Sequence, residues 1–165
     1  MKLLTKLKCS VLYVPGTGSV ANDPTNEKVK WLKRHCENVS VLDTQGSWSD
    51  DAYLDAYTKL HKEYDYIIGS SLGGYWAQRL AALEGVPFIA INPSEVDTIL
   101  DYGGLIIQST HDSVLGEKCQ QSIYDIAKDI YAIHRIDSDD HRLNDVSVYE
   151  DVLYDFLESF HMCNF

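Results

Sequence analysis

Apolar residues in this chain follow two rhythms that alternate from one end to the other. Short unbroken runs, rich in Val, Ile, Leu and Tyr, predict buried strands at 9–14, 39–42, 66–68, 87–91, 105–108 and 130–136. The longer stretches between them carry apolar residues three or four positions apart, which is the spacing of one helix face. Residues 26–36 place Val29, Trp31 and Leu32 at that spacing. Asp50 or Asp51 is expected to cap a helix running to Leu60, with Tyr53, Leu54, Tyr57 and Leu60 on one side. A helix over 72–84 is ended by Gly85. One over 115–128 is expected to turn Leu115, Cys119, Ile123 and Ile126 inward. The last amphipathic stretch is the clearest, with Val146, Tyr149, Val152, Leu153, Phe156, Leu157 and Phe160 on one face and acids opposite.

Six strands separated by helices predict an α/β fold: a three-layer α/β/α sandwich around about six mostly parallel strands, joined by right-handed crossovers. At 165 residues the chain is expected to be one domain, 1–165, long enough to bury a core without disulfide staples. Ligands of such a sheet bind beyond the carboxyl ends of its strands, so chemistry is sought in the loops that follow them.

Charge narrows the partners. With 14 Lys and Arg against 25 Asp and Glu, the formal net charge is -11, a surface that repels nucleic acid and anionic membranes alike. No run approaches the 18 apolar residues of a membrane span. The opening nine residues faintly resemble a leader, but Lys6 and Lys8 interrupt the apolar stretch it would need. Cys9, Cys36, Cys119 and Cys163 are scattered, without Cys-x-x-Cys or zinc spacing. Four reduced thiols, no metal and a cytoplasmic location are expected.

The third strand runs directly into Gly69-Ser70-Ser71-Leu72-Gly73, a Gly-x-Ser-x-Gly sequence, and a helix follows at once. In that context the pattern has a mechanical meaning: a sharp strand-to-helix turn lifts the Ser71 hydroxyl above the sheet edge. A plain glycine-rich turn fits the same residues. A phosphate loop fits poorly, because neither Gly-Lys-Ser/Thr nor Gly-x-Gly-x-x-Gly is present. The N–H of Leu72 would face an oxyanion formed on a substrate attacked by Ser71. A second donor is expected from Thr17, between Gly16 and Gly18 after the first strand. Gly16 and Tyr75 are expected to border the substrate.

A serine nucleophile needs a base and a group to orient it. Of six histidines, His35, His61 and His161 fall in predicted helices and His134 within the sixth strand. Only His111 and His141 follow strands at the right edge. The order Ser71, Asp112, His141 gives acid and base from the loops after strands five and six. His111 as base with Asp139 as acid, or Asp97 or Asp101 as acid, are the alternatives.

These motifs together carry a resemblance. The strand-Pro15-Gly16-x-Gly18 start, Gly69 to Tyr75, Ile91-Asn92-Pro93, Asp112 and Asp140-His141 resemble the small YqiA-type bacterial esterases. Val14-Pro15-Gly16 is also similar to the retinoblastoma-binding-protein type of small serine hydrolases. The likeness spans nearly the whole chain, from Ser10 to Phe160. It implies a compact α/β-hydrolase, hydrolysis of a small carboxylic ester, no cofactor, and a Ser71-Asp112-His141 triad. Where many relatives have His-Gly, this chain has Pro15-Gly16. The connection from Asn92 to Gly103 has no room for a large lid, which implies an open site. A binding or regulatory protein on the same fold is the alternative; a site blocked by Tyr75, Trp76 or Trp48 would favour it.

Overall fold

Strand and helix alternate throughout the computed structural model, which describes residues 5–17, 21, 23–96 and 103–163. The order is β1 (Leu7–Val14), α1 (Glu27–His35), β2 (Cys36–Val41), α2 (Asp50–Thr58), β3 (Tyr66–Ser70), α3 (Leu72–Glu84), β4 (Phe88–Ile91) and β5 (Gly104–Ser109). It continues with α4 (Glu117–Ala127), β6 (Ala132–Ile136), a 3-10 turn (Val146–Val148) and α5 (Glu150–Cys163). The sheet order is β2-β1-β3-β4-β5-β6, and every neighbouring pair is parallel.

Alternation along each strand divides the core in two. Val11, Tyr13, Ile68, Ile89, Ile91, Leu105 and Ile107 face one side, where α1 and α5 bring Trp31, Leu32, Leu153 and Leu157. Leu12, Val14, Ile67, Phe88, Ala90 and Ile106 face the other, against Tyr53 of α2, Trp76 and Leu80 of α3 and Ala127 of α4. Both faces of β1, β3, β4 and β5 are therefore covered, which is why those strands read as unbroken apolar runs. The edge strands β2 and β6 are more exposed.

Local chemistry sets the helix ends, and in one case differently from expectation. Asn26 caps α1 by accepting from Val29 N–H. Helix α2 is capped by Ser49, which accepts from Ala52 N–H, and Asp50 and Asp51 occupy its first turn. A carboxylate there still complements the positive end of the helix. β2 starts at Cys36 directly after α1. The final amphipathic stretch is broken at Tyr149, so Val146 sits in a separate turn and α5 begins at Glu150.

Helix α4 departs most usefully. Gln120, Ile123 and Ala127 are its buried residues; Ile126 is 50% exposed, and Leu115 and Cys119 are half-buried. The helix is rotated because Gln120 Nε2 donates to Asn92 Oδ1 at 2.9 Å and to Asp112 Oδ2 at 3.0 Å. Polar partners beneath the helix outweigh the burial of one isoleucine. Gly18, Asp97 and Asp101 lie outside the described residues, as does the side chain of Phe160.

The chain runs from β1 outward to β2, then returns to β3 on the other side of β1. The carboxyl ends of β1 and β3 thus form the switch point where the loops diverge and leave a crevice.

Candidate active site

Ser71 sits at that crevice, immediately after β3, with φ 56° and ψ -124°. A non-glycine residue seldom adopts such a backbone, and strain of this kind persists only where its surroundings enforce it. Here they do. Ser71 N–H donates to Ile91 O at 3.0 Å, while Ser71 O accepts from Gly74 N–H at 3.0 Å and from Ser94 N–H at 3.1 Å. Two glycines make the turn sterically possible. A Cβ on Gly69 would stand 2.0 Å from Gly73 O, and one on Gly73 would stand 2.2 Å from Val14 O. Strand, turn and helix meet backbone to backbone at this point.

His141 Nε2 lies 3.0 Å from Ser71 Oγ, and His141 Nδ1 lies 2.6 Å from Asp112 Oδ2. The three side chains come from the loops after β3, β5 and β6 and form one hydrogen-bonded chain. The His141 side chain is 14% exposed, that of Asp112 not at all. Burial pushes the Asp112 carboxyl up. Hydrogen bonds from His141 and from the Leu115 and Val114 N–H groups, with the charge of His141, outweigh that and hold it below its ordinary value. Oδ1 accepts from Val114 and Leu115 N–H at 2.8 Å each. Oδ2 takes His141 and Gln120. The carboxylate has donors on both oxygens and is fixed.

The His141 loop is tied down by a buried amide. Asn92, fully buried with φ 42°, donates from Nδ2 to His141 O at 2.8 Å and to Ser109 Oγ at 3.0 Å. Ser109 Oγ donates in turn to Asp140 O at 2.7 Å. Asn92 Oδ1 accepts from Ser109 N–H at 2.8 Å and from Gln120. Gln108 Nε2 completes the network by donating to Gln120 Oε1 at 2.7 Å. Asn92 stood in the Ile-Asn-Pro run, but its contacts are all beyond reach of sequence spacing. The signal for Gln120 was available, since Gln120, Ile123 and Ala127 also follow helical spacing. Hydrophobic weighting selects Cys119 and Ile126 instead.

A cavity of about 350 Å³ opens over Ser71 and His141, bordered by Gly16 and Thr17. Gly16 is close enough that a Cβ there would stand 3.3 Å from Ser71 Cβ. Thr17 is exposed at the cavity wall. Leu72 is the first residue of α3, where helical N–H groups have no intrahelical partner. Tyr75, expected to border the substrate, does not line this cavity. It packs edge-on against Trp76, with the Arg79 guanidinium over its ring. It is partly buried against the core layer that holds Trp76 and Leu80.

Nor do Trp76 or Trp48 line the cavity. Trp76 is buried and stacked on Tyr53, whose hydroxyl donates to Pro15 O at 3.0 Å. His111 lies apart from Ser71. Its ring meets Glu117 at 2.5 Å and Asp137 at 3.3 Å on the surface. Among the described residues, no group of three or more His, Cys, Asp or Glu side chains is placed to hold a metal ion. No described helix is long and apolar enough to cross a membrane.

The model of an uncharacterised protein family, UPF0227, matches residues 11–98. A search of curated proteins finds no match. Among solved structures, a YdeN-like protein from Pectobacterium atrosepticum is 16% identical over 93% of this chain and 91% of its own, with a TM-score of 0.70. The mouse alpha/beta hydrolase domain-containing protein 10 is 11% identical, covering 94% and 92%, at 0.69. The esterase domain of a Rhodothermus marinus protein is 12% identical, covering 97% and 89%, at 0.65. At these identities the likeness is one of fold, and the fold is that of the α/β-hydrolases.

Proposed function

The chain belongs to UPF0227, the YqiA-like family its motifs resemble, and on that premise we propose that it is a serine hydrolase cleaving a small carboxylic ester or thioester. One observation carries the reading: the hydrogen-bonded chain from Ser71 Oγ through both nitrogens of His141 to a buried, fully satisfied carboxylate.

In this mechanism Ser71 Oγ attacks the substrate carbonyl and His141 Nε2 takes its proton. Asp112 holds the tautomer with the proton on Nδ1 and stabilises the imidazolium that forms. The N–H groups of Leu72 and Thr17 receive the tetrahedral oxyanion. His141 then protonates the leaving oxygen or sulfur, and a water molecule activated by the same imidazole releases the acid from Ser71. The strained turn at Ser71 favours this role, because it carries Oγ clear of the sheet edge. The cavity volume is at the small end for a ligand site, which suits a compact acyl group.

Reaction of the purified protein with a fluorophosphonate tests the reading. Labelling should vanish in Ser71→Ala and slow by about 10²-fold or more in His141→Ala. A well-folded wild type that does not label would sink the proposal, and labelling that survives His141→Ala would mean another base.

A further inference from the structure

Lys28 is an anomaly for a lysine. It projects from α1 into the wall of the Ser71 cavity and is 7% exposed. Its Nζ donates to the main-chain oxygen of Arg142 at 2.5 Å, and among the described residues no carboxylate lies within ion-pair distance of it. An ammonium carries three donors, so most of its capacity is unspent. Burial pulls its pKa down to about 8, with Asp140 opposing and Arg142 adding to the effect. Burying an ammonium without an anion costs several kcal/mol, and proteins seldom keep such a group without use for it.

Arg142 adds a second cation to the same wall. It directly follows His141, its side chain is exposed, and its guanidinium has no hydrogen bond or ion pair among the described residues. Two acids are near: Asp23, which lines the same cavity, and Asp140, whose charge acts on Lys28. Asp23 Oδ1 accepts from Thr25 N–H at 2.9 Å and from its hydroxyl at 2.6 Å. Asp140 accepts from Arg142 N–H at 3.0 Å and from Asn144 N–H at 3.4 Å. On a chain of net charge -11, the described wall of the cavity carries two cations, Lys28 and Arg142, against the one carboxylate of Asp23.

We propose that Lys28 and Arg142 form an oxyanion-recognising subsite, so that the preferred substrates are esters bearing a carboxylate or phosphate group. The inference rests on the hydrolase reading above and names the substrate class for that site. The substrate anion supplies the partner that the Lys28 ammonium lacks, and Arg142 guides it in from the rim. Because Lys28 also holds the backbone beside His141, an occupied subsite would brace the base as well.

The test compares 4-nitrophenyl valerate with its charged near-isostere, mono-4-nitrophenyl glutarate, in wild type, Lys28→Met and Arg142→Gln. Glutarate and inorganic phosphate are added as competitors. Wild type should favour the charged ester in kcat/KM by about tenfold or more, the worth of one charge-assisted hydrogen bond, or be inhibited competitively by phosphate. Lys28→Met should abolish either effect, and Arg142→Gln should weaken it about threefold. Taking the ratio of two esters cancels general damage to the Ser71 machinery. Arg142→Gln, at an exposed position, keeps the test decisive if Lys28→Met does not fold. Competition by phosphate alone assigns a phosphate group, and preference for the glutarate ester a carboxylate. A wild type that labels with fluorophosphonate but shows neither effect, or variants that leave both unchanged, overturns the subsite alone. Failure to label overturns the hydrolase reading and the subsite with it.

Discussion

Replacing Asp112 by Asn changes almost no volume and tests how His141 is held. Oδ1 serves the Val114 and Leu115 N–H groups, while Oδ2 serves His141 Nδ1 and Gln120 Nε2. Asparagine has one acceptor oxygen. If that oxygen stays on the backbone donors, its NH₂ confronts the Gln120 amide and turns His141 to the tautomer that cannot take a proton on Nε2. Hydrogen bonds to a charged acceptor contribute about 1.5–3 kcal/mol each. Two are lost and one buried charge is relieved, so a net destabilisation of about 2–4 kcal/mol is expected. For a domain of this size that lowers Tm by roughly 5–15 °C. The labelling rate and kcat/KM should fall by about 10⁴-fold, the usual consequence of a wrong tautomer. Fluorophosphonate labelling below the lowered Tm, with a thermal melt of each protein, measures both. A variant that labels within tenfold of wild type and melts at the same temperature would refute the argument that Asp112 orients His141.

Acid titration follows from the same carboxylate. Its folded pKa lies below the unfolded value of about 3.9, so its stabilisation is complete above that range and is lost as pH falls through it and then through the native value. Urea melts from pH 6 to 2 should therefore show wild type losing stability more steeply than Asp112→Asn; parallel curves would contradict the assignment. Gly69→Ala drives a Cβ to 2.0 Å from backbone and should cost about 3 kcal/mol or more, or prevent folding, as thermal melts and soluble yield would register. Gln120→Met keeps the shape of the side chain but removes the donor shared by Asn92 and Asp112. It should cost about 1–3 kcal/mol and slow fluorophosphonate labelling, and unchanged labelling would mean that Gln120 serves only packing.

Strand and helix order were legible in this sequence because burial leaves a local imprint. β1, β3, β4 and β5 are covered on both faces, so each is an unbroken apolar run, and their parallel pairing follows from the helices between them. Ser71 was legible for a related reason. Glycines at 69 and 73 are demanded by contacts within the turn itself and by the neighbouring strand end, and they fall at fixed offsets from the serine. Asp112 and His141 could be ranked by strand order, but only the folded chain sets His141 between its two partners, 2.6 Å from Asp112 and 3.0 Å from Ser71. What the tertiary structure alone decided is everything set by contacts between distant loops. The rotation of α4 is fixed by what Gln120 meets beneath it, against the hydrophobic pattern of its own helix. Asn92 reaches residues 17 and 49 positions away, and Lys28 a carbonyl 114 positions away. Hydrophobic periodicity records which side of an element is buried on average. It cannot record a single polar side chain turned inward to meet a partner from another strand, and the positioning of this site is made of such partners.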